Sequence, residues 1–141
     1  MRFLADANLL SEPLRIAPDP AVEAWLEDHH DRVDLAAFTL GELMKGAALL
    51  PAGPKKDRLN QWIGSLENRY QDQIHAFDNR TARVWADYYA RHQRSGRKLS
   101  VADSILAAVA LQRSLTVATR NTNDFPGVPT VNPWRYTRSE E

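Results

Sequence analysis

The sequence contains no cysteine. That excludes disulfides, thiolate metal sites and a cysteine nucleophile together, and it agrees with a reducing compartment. No run of about 18 apolar residues occurs, so no membrane-spanning helix and no membrane partner are expected. The N-terminus lacks a basic segment followed by a long apolar stretch and a small-residue cleavage site. A secretory leader is therefore not expected, and the cytoplasm is the expected location. An excess charge of one sign is missing too: Lys+Arg and Asp+Glu both count 18, for a formal net charge of zero. A polyanion partner would have to use a patch, not the field of the whole protein. One such patch exists, where Arg80, Arg83, Arg91, Arg94, Arg97 and Lys98 stand against Asp87 alone.

What remains is ordinary globular composition, 43% hydrophobic and 26% charged over 141 residues, enough for one domain with a real core. Phe3 to Ala5 reads as a short buried strand. "PAVEAWLEDHH" places Val22, Trp25 and Leu26 on one helical stripe. "RVDLAAF" is expected as a second strand and "TLGELMKGAALL" as a helix stopped by Pro51 and Gly53. "KKDRLNQWIGSLENRY" repeats the stripe, and "IHAF" is a brief strand. Asp78 or Asn79 then caps a long helix that runs to about Ser95 and Gly96. "SVADSILAAVALQRS" is a further helix, "LTVAT" a strand, and "TVNPW" a last short strand. Strands alternating with helices over short connections predict an α/β sandwich around a mostly parallel sheet.

Four acids stand out, each with an ordinary explanation when taken alone. Asp6 at a strand end suits an Asx-turn. Glu42 and Asp103 each close a capping-box pattern, Thr39 to Glu42 and Ser100 to Asp103. Asp124 sits in the turn sequence Asn123-Asp124-Phe125-Pro126-Gly127. Their shared topology is the stronger observation. Open α/β sheets bind ligands beyond the carboxyl ends of their strands, and all four acids are expected near that edge. Carboxylates gathered there repel unless a cation sits among them, and a hard divalent ion is the natural one.

"LADANLLSE", "TLGELMKG", "GRKLSVADSILAAVAL", "LTVATRNTNDF" and "VNPW" occur in the order and approximate spacing of the PIN-domain family. The sequence most resembles the VapC-type toxins of bacterial toxin–antitoxin pairs, including the FitB-like branch, from residue 2 to about residue 135. The resemblance implies a three-layer α/β/α sandwich over residues 1–135, followed by a polar tail, 136–141. It implies a toxin endoribonuclease that hydrolyses RNA with Mg²⁺ or Mn²⁺. Catalysis falls to Asp6, Glu42, Asp103 and Asp124, with Asp6 and Asp103 as metal ligands and Glu42 and Asp124 ligating directly or through water. Asn8 and Asn121 occupy supporting polar positions. Arg97, Lys98 and Arg120 are expected phosphate contacts. The implied partners are a VapB-type antitoxin, a second copy in a homodimer, and DNA only through the antitoxin. The apolar helices near Trp25 and Trp62 are expected surfaces for these. One departure is Ala7, where the family's opening commonly has Thr or Ser.

Other chemistries have less support. His29, His30, His75 and His92 are scattered, and Ser104 has no evident histidine base. Gly41 and Gly46 do not form a phosphate loop. A haloacid-dehalogenase-like phosphatase needs a second Asp where position 8 is Asn. Arg80, Arg83, Arg91 and Arg94 with Asp87 line one helical face, which reads as solvated. The other reading of the whole chain is a PIN-fold binding or regulatory module with little nuclease activity, acting through its antitoxin or DNA-binding partner; Ala7 is its support.

Overall fold

The computed structural model describes residues 1–138. The chain starts in the middle of its sheet with β1 (Phe3–Ala5), turns through α1 (Ala7–Ser11) and α2 (Pro20–His29), and returns as β2 (Val33–Ala36). Helices α3 (Ala37–Ala48) and α4 (Pro54–Arg69) lead to β3 (Ile74–His75). Helices α5 (Asn79–Arg94) and α6 (Val101–Arg113) then lead to β4 (Thr116–Ala118), and β5 (Thr130–Val131) follows. The strand order is β3-β2-β1-β4-β5, and all four pairings are parallel. The expected three-layer sandwich is the observed one, with the parallel character complete.

Two apolar clusters explain the layers. On one face Phe3, Ala5, Val33 and Leu35 pack with Leu9, Leu10, Val22, Trp25, Leu40 and Leu66 from α1 to α4. On the other, Leu4, Ala36 and Val117 pack with Tyr88 of α5 and with Leu106, Ala107, Val109 and Ala110 of α6. Residues 3 and 5 face one way and residue 4 the other, the period of two that a strand imposes. Trp25 is 1% exposed, edge-on to Phe3 and stacked on His29. It is therefore core, as its place on the α2 stripe beside Val22 predicts. Truncating it to Ala would cost about 3–5 kcal/mol. Trp62 does reach a surface hollow, with Leu26 and Leu66.

Local sequence sets most helix starts. Asp19, Asp78 and Ser100 cap α2, α5 and α6 by accepting from the backbone N–H of Ala21, Thr81 and Asp103. Helix α3 differs from expectation. It begins at Ala37, straight out of β2, with Ala36 as an N-cap that offers no side-chain bond. Thr39 thus lies inside the helix at 1% exposure, and the predicted Thr39–Glu42 capping box does not exist. Burial of the β2–α3 junction outweighed the polar signal of Thr39.

One charged group lies inside the sheet. Asp34 of β2, 4% exposed, accepts from Arg2 Nη2 at 2.5 Å and lies 2.7 Å from His75 Nε2. The chain's end also docks: Tyr136 and Arg138 bind Asp28 of α2, while residues 139–141 of the expected polar tail lie outside the described residues.

Candidate functional site

The strand order reverses direction of growth between β1 and β4, and that is where an open α/β sheet leaves a crevice at its carboxyl edge. Asp6 ends β1 at this point and its backbone N–H reaches the Ala118 carbonyl of β4 at 3.3 Å. Its side chain does more than the predicted turn. Oδ1 accepts from Leu9 N–H at 2.8 Å, capping α1, and Oδ2 accepts from the Thr119 hydroxyl at 2.6 Å. Thr119 is fully buried and its hydroxyl in turn accepts from the Asn121 N–H at 3.0 Å. The carboxylate is thus oriented at once from α1 and from the residue that follows β4.

Asp6, Ala7, Asn8, Glu42, Asp103, Thr119 and Asn121 line one cavity of about 180 Å³. Glu42 sits in the second turn of α3, and its carboxylate makes none of the hydrogen bonds found among the described residues. Asp103 is in the first turn of α6. Its N–H donates to Ser100 Oγ at 3.0 Å while its side chain lines the cavity. Capping by Ser100 and a cavity-facing Asp103 coexist.

Burial chiefly raises the pKa of all three acids. The Asp6 carboxyl is lifted by burial, against the hydrogen bonds from Thr119 and Leu9, with Asp103 adding to the rise and Arg120 opposing it. Glu42 is lifted by burial, opposed by Lys45 and assisted by Asp103 and Asp6. Asp103 is lifted by burial, opposed by Ser100 and assisted by Asp124. Negative charge has been gathered here with too little positive charge to balance it.

Asp124 is placed differently from the other three. It is exposed and lines an adjoining depression with Arg120, Asn121, Thr122, Asn123 and Arg135, though Asp103 still feels its charge. The guanidinium of Arg120 lies over the Trp134 ring at 4.5 Å. Arg97 donates to the Asn123 carbonyl, and Lys98 is exposed beside it. Arg80, Arg83, Arg91 and Arg94 are exposed along α5, with Arg91 paired to Asp87 at 3.5 Å, as expected of a solvated face.

Among the described residues, no group of three or more His, Asp or Glu side chains is set to hold a metal ion directly. The donor set is nevertheless all hard oxygen, and the cavity has room for several waters at about 30 Å³ each. That fits an ion such as Mg²⁺, which keeps much of its water and uses one or two carboxylates. Thr119 was missed by sequence reasoning. Its signal was a polar residue closing "LTVAT", at the strand end that meets Asp6.

A sequence profile of the PIN domain matches residues 3–130. The chain belongs to the PIN-domain family. This PIN domain is 39% identical over 136 residues to Toxin FitB of Neisseria gonorrhoeae, covering 94% of this chain and 98% of that one. It is 34% identical over 136 residues to VapC ribonuclease Y4jK of Sinorhizobium fredii, covering 94% and 97%. Among solved structures it superimposes on a chain of "Structure of FitAB bound to IR36 DNA fragment" with a TM-score of 0.89 and 36% identity, over 96% of this PIN domain and 98% of that chain.

Proposed function

We propose that this PIN domain is an endoribonuclease that uses Mg²⁺ or Mn²⁺ and serves as the toxin of a toxin–antitoxin pair. The observation that carries the reading is the cavity at the β1/β4 crevice, where Asp6, Glu42 and Asp103 share unbalanced negative charge. The relatives support it in name: one is called a toxin and another a VapC ribonuclease. Asp6 and Asp103 would hold the ion, with Glu42 and Asp124 reaching it directly or through water. When bound, the ion's contribution is to neutralise phosphate charge and to acidify water.

The chain's own groups do the rest. Leu9 and Thr119 fix the Asp6 carboxylate, so that it needs no reorganisation when substrate arrives. Glu42, without a hydrogen-bond partner and with a raised pKa, is suited to orient a water and accept its proton. Asn8 and Asn121 offer amide donors at the cavity edge. Arg120, Arg97 and Lys98 would meet flanking phosphates, Arg120 from its perch on Trp134. The partner in this reading is a VapB-type antitoxin; similar chains occur in one structure named FitAB, described as bound to a DNA fragment, and in another named FitAcB. DNA is reached only through that partner, the PIN domain pairs with a second copy, and the complex works in the cytoplasm. No helix among the described residues is long and apolar enough to cross a membrane.

The test is cleavage of labelled RNA by the purified chain. Cleavage should need Mg²⁺ or Mn²⁺, stop with EDTA, and fall at least ~10²-fold in Asp6→Ala and in Asp103→Ala, as when a preorganised electrostatic group is removed. Full activity in either folded variant would sink the assignment. Ala7 favours a second reading, a PIN-fold binding module: it lines the cavity where a hydroxyl is common in the family. Metal-independent RNA or protein binding without any cleavage is the outcome that reading requires.

A further inference from the structure

Beside the carboxylate cleft lies a second hollow, of about 310 Å³, lined by Tyr89, Gln93, Gly96, Arg97, Lys98 and Leu99. Its lining is chemically mixed: one phenol ring, one amide, two cations and an aliphatic floor. The two cavities flank the same short stretch of chain. Leu99 precedes Ser100, the cap of the helix that carries Asp103, and Arg97 is bonded to the carbonyl of Asn123, in the loop that carries Asn121 and Asp124.

The aromatic wall is braced. Trp85 donates its indole N–H to Ser104 Oγ at 2.9 Å, and Ser104 is buried in α6. One turn further along α5, Tyr89 packs against Trp85 with ring centroids 5.5 Å apart and planes tilted by 31°. Trp85 is therefore tied to the helix of Asp103, and Tyr89 leans on Trp85. Gly96, at φ +85°, lets the backbone turn sharply into the segment bearing Arg97 and Lys98. The hydrogen bond from Arg97 to Asn123 uses one nitrogen of the guanidinium, and Lys98 takes no part in any hydrogen bond or ion pair found among the described residues.

A fixed aromatic face, a side-chain amide and adjacent cations are the parts that single-stranded RNA sites use: a ring for stacking, donors and acceptors for a base edge, and positive charge for the backbone. We propose that this hollow is a nucleotide subsite next to the carboxylate cleft, which seats one unpaired base of RNA against Tyr89. Gln93 meets the edge of that base, and Lys98 and Arg97 meet the phosphate that leads toward Asp103. The inference rests on the ribonuclease reading and adds to it a place where base preference is set.

The test measures binding of fluorescein-labelled homopolymeric oligoribonucleotides (A, C, G and U) in EDTA, and separately cleavage with Mg²⁺. Tyr89→Ala should weaken binding about tenfold or more, with Tyr89→Phe restoring it, because stacking needs the ring and not the hydroxyl. Gln93→Ala should shrink the affinity differences among the four oligomers. In the cleavage assay Tyr89→Ala should raise KM by a larger factor than it lowers kcat. If Tyr89→Ala does not fold, Gln93→Ala and Lys98→Ala, both on exposed side chains, decide the matter. Cleavage by the parent with unchanged binding and base preference in these variants overturns the subsite while leaving the ribonuclease reading intact. Tyr89-dependent binding without any cleavage upholds the subsite and overturns the ribonuclease. Absence of RNA binding by the parent overturns the subsite as well.

Discussion

Both oxygens of Asp6 are occupied, one by Leu9 N–H and one by the Thr119 hydroxyl, yet the residue still borders the cavity. Holding a carboxylate this way favours its ionised form, which burial and Asp103 disfavour. Thr119 thus matters more than its neutral side chain suggests. Thr119→Val should remove one of the two bonds at almost constant volume, push the Asp6 pKa further up and lower stability by about 1–3 kcal/mol. Thr119→Ser should retain most function. Urea unfolding together with cleavage rates would show it; a Val variant indistinguishable from the parent in both would contradict the arrangement. Asp6 and Asp103 were legible as singular acids in the sequence, whereas Thr119 was not, because nothing local distinguishes a buried Thr that bonds across strands from one that merely ends a strand.

Elements show where local signals prevail and where packing overrides them. The caps at Asp19, Asp78 and Ser100 formed where their residue types suggest. Thr39 did not cap α3, since β2 runs directly into the helix and buries it. Helix α1, five residues long, starts where Asp6 caps it, at the position expected of an Asx-turn. At the end of α6, Ser114 adopts the left-handed conformation, φ 56°, in a position where glycine is usual. Ser114→Gly should raise stability by about 0.5–1 kcal/mol in urea unfolding, relieving the Cβ crowding. The C-terminal strap makes a second test. Arg138, then Tyr136, hold the Asp28 carboxyl below its ordinary value of 3.8. A depressed folded-state pKa stabilises above the unfolded value, and that contribution is lost as pH falls through the folded one. NMR titration should therefore give Asp28 a midpoint under 3.8, returning toward that value in Arg138→Ala.

For the whole molecule, the price of the site is electrostatic. Three acids with raised pKa values are ionised at neutral pH at a cost, because a carboxyl raised in the folded state stabilises only when protonated. Two consequences follow for thermal unfolding at neutral pH. Asp103→Asn should raise the metal-free midpoint by about 2–8 °C, the range for about 1 kcal/mol, while cleavage is lost. Mg²⁺ should stabilise the parent by binding the folded state, and stabilise the variant much less. Equal stabilisation of both by Mg²⁺ would place the ion elsewhere.

The alternation of apolar stripes and short buried runs was enough to foretell the order of strands and helices and the parallel sandwich, since periodicities of two and 3.6 are written residue by residue. The four acids and the family were readable for the same reason: type and spacing lie along the chain. Only the tertiary structure decided which acids share a space. It drew Asp6, Glu42 and Asp103 into one cavity and set Asp124 at an exposed rim. It also joined Thr119 to Asp6 across 113 positions and leaned Tyr89 on a tryptophan anchored to α6. Those outcomes depend on strand order and helix packing, distances between residues far apart in the chain, which no local pattern of side chains contains.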